Sequence, residues 1–225
     1  MKKSASWLSE SSTPNSPEII RPRVQVGRPF LTSPTLDIAR IGAFSALVAL
    51  GTMLTNLLLG FSLPQPLGEI TAAPAFYMAI AILFSRKVSF WSTAIGSAVG
   101  EAVNIFIFGE APAAFALTYI PGLVIARAPE ALIIFRFRRK SVRFLAFVMG
   151  LATVFESLVL FLIDWPVYSY TAFYSSQAPC ANCGLVSGFS LAVLDFGTMI
   201  DLVWIPVALV LVVAARRAYN IQYFT

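Results

Sequence analysis

The sequence predicts an all-α polytopic membrane protein, six transmembrane helices in a compact bundle with both termini cytoplasmic. Three observations predict it. Hydrophobic residues make up 58% of the 225-residue chain and charged residues only 12%, about half the ~25% usual in soluble domains. The apolar residues fall into six runs, several of them near the ~20 residues that cross a bilayer core. Fifteen of the sixteen Lys and Arg lie in segments that six crossings put on one side, and basic residues accumulate on the cytoplasmic side. Arg127, inside the fourth run, is the exception. These features place the chain in the cell membrane as a multi-pass protein. Its net charge of +5 then orients it in the bilayer, and nucleic acid is not an expected partner.

Residues 1–35 form the first segment, a disordered basic cytoplasmic tail. It holds Pro14, Pro17, Pro22, Pro29 and Pro34 with Lys2, Lys3, Arg21, Arg23 and Arg28. No apolar core of a signal peptide occurs in it, and its composition does not support a packed core. The transmembrane domain, residues 36–217, follows, and residues 218–225 form a cytoplasmic C-terminal tail.

Span one runs from about Leu36 to Leu59, with Asp37 near its start as a helix-end group. Ala39 and Ala43, and Gly42 and Ala46, are small-xxx-small pairs, with Ala49 on the same ridge. Such ridges bring helix backbones together in lipid, either inside the bundle or on a partner helix. Phe61–Glu69 is a Pro/Gly loop. Span two, about Ile70 to Phe84, is short at fifteen residues, and Arg86 and Lys87 separate it from span three, Val88–Phe108. That span carries Gly96, Gly100, Glu101 and Asn104. Gly109–Pro112 turns the chain into span four, Pro112–Phe135, with Pro121, Arg127, Pro129 and Glu130. A basic connector precedes span five, about Phe144 to Leu162, with Glu156 inside it. A stretch from Trp165 to Gly188 holds Tyr168, Tyr170 and Tyr174, and also Cys180 and Cys183, read as a short disulfide or as free thiols. Span six, about Leu191 to Ala214, carries Asp195 and Asp201.

Ionisable groups are expensive inside a membrane and face protein or a water-filled cavity. Counting at 1.5 Å per residue puts Glu101, Glu156 and Asp195 about 6–11 Å below the outer ends of their spans. Three carboxyls at one depth read as an outward-opening polar pocket, with Asn104 sharing the Glu101 face; the alternative is local hydrogen-bonding glue. Arg127 and Glu130 lie deeper, at an i,i+3 spacing that allows a local pair, serving either packing or a ligand. Asp201, three residues before Trp204, is weighed equally as structural. Tyr168, Tyr170 and Tyr174 suit either the membrane interface or stacking on a flat ligand. The chain has no histidine, which argues against metalloprotease, Ser/His and His-bound nickel or cobalt chemistry. No GxxxxGK[ST] phosphate loop occurs, so no cofactor, metal or catalytic constellation is expected.

Six spans, a cytoplasmic N-terminus, the Ala39-Arg-Ile-Gly-Ala43 surface, the Phe61–Glu69 loop and the run Gly96-Ser-Ala-Val-Gly100-Glu101 followed by Glu130-Ala131 resemble the substrate-binding S component of energy-coupling-factor (ECF) vitamin transporters. The resemblance covers residues 36 to 217; the tail and the CxxC loop depart from it. It implies that Ala39, Ala43 and Ala46 dock onto a transmembrane coupling T protein. It also implies that the 61–69 loop lids the site, that two ABC ATPases of the complex use the ATP, and that the whole subunit topples to release substrate. The substrate would be a small water-soluble vitamin or precursor. An acidic pocket favours one with a cationic or NH-rich face, such as thiamine or its pyrimidine precursor. Substrate-binding residues are then Glu101, Asn104, Glu156, Asp195, Arg127, Glu130, Tyr168, Tyr170 and Tyr174. The competing functions are a proton-coupled secondary transporter of a small polar solute and a non-transporting membrane scaffold.

Overall fold

The computed structural model describes residues 34–59, 71–109, 113–170, 184–197 and 200–218. Among them the chain is all helical: α1 Pro34–Leu59, α2 Ala73–Leu83, α3 Arg86–Phe106, α4 Ala113–Phe137, α5 Val142–Tyr170, α6 Gly184–Gly197 and α7 Trp204–Ala218, with a 3₁₀ turn, Ile200–Val203, before α7. Three segments are long and apolar enough to cross a membrane, Pro34–Leu54, Ala116–Phe137 and Val142–Val167. Lipid-facing burial is absent from much of their length. Ile125, Phe147, Leu151 and Leu158 are exposed apolar side chains, as suits helices whose outer face meets hydrocarbon.

Short α2 organises one end of the bundle. Pro74 stands in its first turn, where a missing N–H costs nothing, and nine of its eleven residues are buried. It packs against α1, α3, α4 and α7. Tyr77, Met78, Ile80 and Ile82 meet Val48 of α1, Val88 of α3, Ile134 of α4, Met149 of α5 and Ala208 of α7 in one apolar core. At 1.5 Å per residue α2 is about 16 Å long, half the hydrocarbon thickness. The expected span two is therefore an enclosed helix in the described region. Arg138 Nη1, in the α4–α5 turn, donates to the backbone carbonyl of Phe84 just past α2, a favourable place for a cation at a helix C-terminus.

Three other boundaries differ from the sequence expectation. Arg86 and Lys87 do not separate spans: they open α3, whose N-cap Ser85 accepts from Val88 N. An N-cap with a hydroxyl at that spot starts the helix two residues early. Span five does not stop at Leu162, since α5 continues to Tyr170 through Asp164, Trp165 and Pro166. Ser169 Oγ donates to the Trp165 carbonyl there, and Trp165 Nε1 donates to Leu185 O of α6. Span six is not one helix. Its sequence is divided between α6 and α7, with the 3₁₀ turn at Asp201 between them.

The break gives the bundle a second, smaller apolar core. Ile105 of α3, Ala116 of α4, Val167 of α5 and Ala192 of α6 meet there with Tyr119, Ile120, Phe161, Ile163 and Trp165. Phe161, Trp165 and Phe189 pack as an aromatic group on its flank.

The α1–α3 contact explains the glycines of α3. A Cβ on Gly96 would lie 2.6 Å from Val48 Cβ and 2.7 Å from Ser45 O, and one on Gly100 would lie 2.6 Å from Thr52 Cβ. The backbones approach too closely for any side chain there. Ser45, Val48, Ala49 and Thr52 are buried in this contact, whereas Ala39, Gly42, Ala43, Ala46 and Leu50 are exposed. Ala49 therefore belongs to the inner face and not to the Ala39–Ala46 ridge.

Candidate functional site

Between the two apolar cores α4 and α5 bring together a buried ionic network. α4 runs through Pro121 and Pro129 and turns Arg127 and Glu130 inward. α5 supplies Thr153 and Glu156, three apart and so on one face. Arg127 Nε donates to Glu156 Oε1 at 3.0 Å. Tyr77 of α2 donates through Oη to Glu130 Oε2 at 2.6 Å. Thr153 Oγ1 lies 3.2 Å from Glu130 Oε1 and 3.1 Å from Met149 O of its own helix. Asp201 lies in the 3₁₀ turn before α7, which packs against α5. Tyr77, Glu130 and Thr153 are fully enclosed, and Glu156 and Arg127 are 1% and 5% exposed.

The expected local pair of Arg127 with Glu130 is not formed. Arg127 reaches across to α5, and Glu130 turns to Tyr77 and Thr153. The reason is supply of donors: with the Tyr77 phenol and the Thr153 hydroxyl at hand, Glu130 satisfies its lone pairs without the guanidinium.

Glu156 is also not where the sequence count puts it. Because α5 ends at Tyr170, Glu156 lies fourteen residues from either end of the helix, about 21 Å from both. It therefore joins Arg127 at mid-bundle and leaves the level of Glu101. Glu101 is five residues from the end of α3 and Arg127 fourteen from the start of α4, about 13 Å apart along that hairpin. The α5 carboxyl nearest the Glu101 end is Asp164, six residues before the helix terminus. Glu101, Asn104 and Asp164 are all buried, and Asn104 and Asp164 adjoin in the chain Ile105, Ile163 and Trp165 of the second core, where the end of α3, the start of α4 and the end of α5 converge. Of the carboxyls expected at the outer level, Glu156 thus lies instead at the deeper level of Arg127, apart from Glu101.

Asp195 lies on α6, and Tyr168 and Tyr170 on the last turns of α5; their side chains lie outside the described residues. Tyr174, Cys180, Cys183 and the 61–69 loop lie outside them altogether. Of the expected docking residues, Ala39, Ala43 and Ala46 are exposed. Sequence reasoning missed Tyr77, Thr153 and Asp164. Tyr77 carries the one signal available, as the only phenol in span two. Asp164 stood just past the expected end of its helix.

The network holds one guanidinium and two carboxyls, Glu130 and Glu156, with Asp201 in the turn beside α5. Arg127 compensates one carboxylate, and a buried charge without a partner is costly. Arg127 Nη1 is buried with no hydrogen-bond partner among the described residues. The arrangement can therefore still take a hydrogen-bond acceptor at Nη1 and positive charge or protons at its carboxyls. Among the described residues no group of three or more His, Cys, Asp or Glu is placed to hold a metal ion. No protein-family model, curated protein or solved structure matches the chain.

Proposed function

We propose that this chain is the membrane-embedded substrate-binding subunit of an ECF-type importer, with six spans and both termini in the cytoplasm. In this reading it captures a small water-soluble vitamin or precursor from outside, thiamine or its pyrimidine precursor in preference. A transmembrane T protein and two ABC ATPases supply the energy. The observation that carries the reading is the division of labour on α1. Its Ser45–Thr52 face is spent on α3, and the small residues Ala39, Gly42, Ala43 and Ala46 are left uncovered. A row of small residues facing lipid gains little there, but it lets a partner helix approach closely. The buried carboxyls at both polar levels suit a ligand that brings N–H donors or positive charge.

The test is co-expression with the T protein and ATPases of the same genome, followed by affinity purification and mass spectrometry of small molecules in the isolated subunit. Parent protein is expected to retain a vitamin-like ligand and to co-purify with the T protein. Ala43→Trp and Ala46→Trp are expected to lose the T protein at least tenfold while retaining the ligand. Loss of both together would mean that the stripe serves the bundle itself. Uptake by vesicles holding this chain alone, driven by a proton gradient, would replace the importer by a secondary transporter.

A further inference from the structure

Phe84, the residue that closes α2, is a meeting point for arginines from three parts of the chain. Arg138 Nη1, in the turn after α4, donates to its backbone carbonyl. Arg40 of α1 holds its guanidinium carbon 5.9 Å from the centre of the Phe84 ring. Phe44, one turn further along α1, packs its own ring 4.4 Å from the same centre. Arg216 approaches from α7. Ala208 and Val212 are buried in the core that α2 shares with α7, and Arg216 continues their face at the next i,i+4 position. Burial and then the charge of Arg138 lower the Arg216 pKa below its usual value, the effect of a like charge close by.

Among the described residues Asp37 is the one carboxyl at this end, and it lies 3.7 Å from Arg40. Arg139 and Lys140 extend the turn, and Arg86 opens α3 two residues past Phe84; all three are exposed. None of these three makes an ion pair among the described residues. Positive charge gathered in excess at one place attracts an anion. Arg138 is also held still for one. Its guanidinium lies 4.2 Å over the centre of the Phe135 ring and is tied to Phe84, so it loses little freedom when an oxyanion docks.

The level of the cluster identifies the anion. The turn that carries Arg138 joins Ala116–Phe137 to Val142–Val167, two segments long and apolar enough to cross a membrane. A turn between two such segments stands where hydrocarbon ends and headgroups begin. Phe44, Phe84 and Phe135 are half-buried and put apolar rings beside the guanidinium groups. The site therefore offers charge to a headgroup and apolar surface to the chains below it. A soluble phosphate would use the charge alone.

We propose that Arg138 and Arg216, with Arg40 beside them, bind the phosphate of an anionic phospholipid at the basic end of the bundle. The phosphate oxygens accept from the guanidinium forks, and the negative charge relieves the repulsion between them. No covalent bond is made or broken. The site requires a bilayer and no coupling partner, so it stands or falls apart from the importer reading.

The test is native mass spectrometry of the full-length protein in detergent, titrated with phosphatidylglycerol and with phosphatidylcholine of the same acyl chains. Phosphatidylglycerol is expected to bind in preference. Arg138→Gln and Arg216→Gln are each expected to weaken its binding roughly fivefold. Arg143→Gln, which removes an exposed cation outside the cluster, is expected to leave it unchanged. Arg138 also caps α2, so Arg216→Gln carries the test where Arg138→Gln fails to fold. Equal binding of the two lipids would overturn the proposal and leave the basic end to an acidic protein surface. Equal loss in Arg143→Gln would overturn it in favour of net charge alone. Displacement of phosphatidylglycerol by inorganic phosphate would overturn it in favour of a soluble anion.

Discussion

Arg127 and Glu156 show how a single pair can hold a bundle together without adding much to its stability. Each is enclosed, and the ion pair between them repays a desolvation penalty of several kcal/mol per ion. Removing one partner leaves the other charged in an apolar setting. Glu156→Ala or Arg127→Ala is therefore expected to destabilise the protein by about 3–5 kcal/mol. Replacing both by apolar residues of similar size, Arg127→Met with Glu156→Leu, should recover most of that loss. Thermal unfolding in detergent checks it: a double variant as unstable as the worse single one would show that the network does more than balance charge. Tyr77 is legible at this scale only after folding, because nothing in its sequence neighbourhood names Glu130, 53 positions away, as its acceptor.

At the scale of the element, α1 and α3 carry the clearest sequence signal in the chain and also its clearest misreading. The Gly96–Gly100 spacing announces a close helix contact, and the structure places α1 in it at van der Waals limits. Gly96→Ala is expected to force the two helices apart at a cost of about 1–3 kcal/mol, the usual penalty of overpacking. Gly42→Ala, whose Cβ would meet nothing within 4 Å, should leave the unfolding temperature unchanged or slightly raised. Equal losses at the two sites would contradict this packing. Ala49 shows the limit of the pattern. It continues the Ala39–Ala46 ridge by residue type, yet a helix turns 3.6 residues per turn, and small residues recur on both faces. Composition cannot say which face meets α3.

For the whole molecule, the expected six-span order rests on charge placement. Reporter fusions at Ser141 and Gln177 are expected to report opposite sides of the membrane, Ser141 cytoplasmic. The same side for both would remove the six-span reading and with it the importer topology. The described bundle already departs from six equal rods. α2 is enclosed by four neighbours, and α6 and α7 share what the sequence reads as one crossing, so the ionic network comes to lie where short helices meet long ones. This is also where backbone irregularity is tolerated in a membrane protein, because it is covered by protein.

The sequence by itself determined the class. Long apolar runs and few charges point to helices in lipid, since every backbone N–H and C=O must be satisfied within its own segment. It also determined that Arg127, Glu130, Glu156 and Glu101 face inward, because lipid does not tolerate them. Only the tertiary structure decided who pairs with whom. Glu156 goes to Arg127 and Glu130 to Tyr77 because helix lengths set axial level, and the extra eight residues of α5 past Leu162 move Glu156 from a rim to the middle. Hydropathy averages over such a boundary, with Asp164, Trp165 and Pro166 reading as an end. In the fold that segment is held helical by contacts with α6, a partner no local window contains.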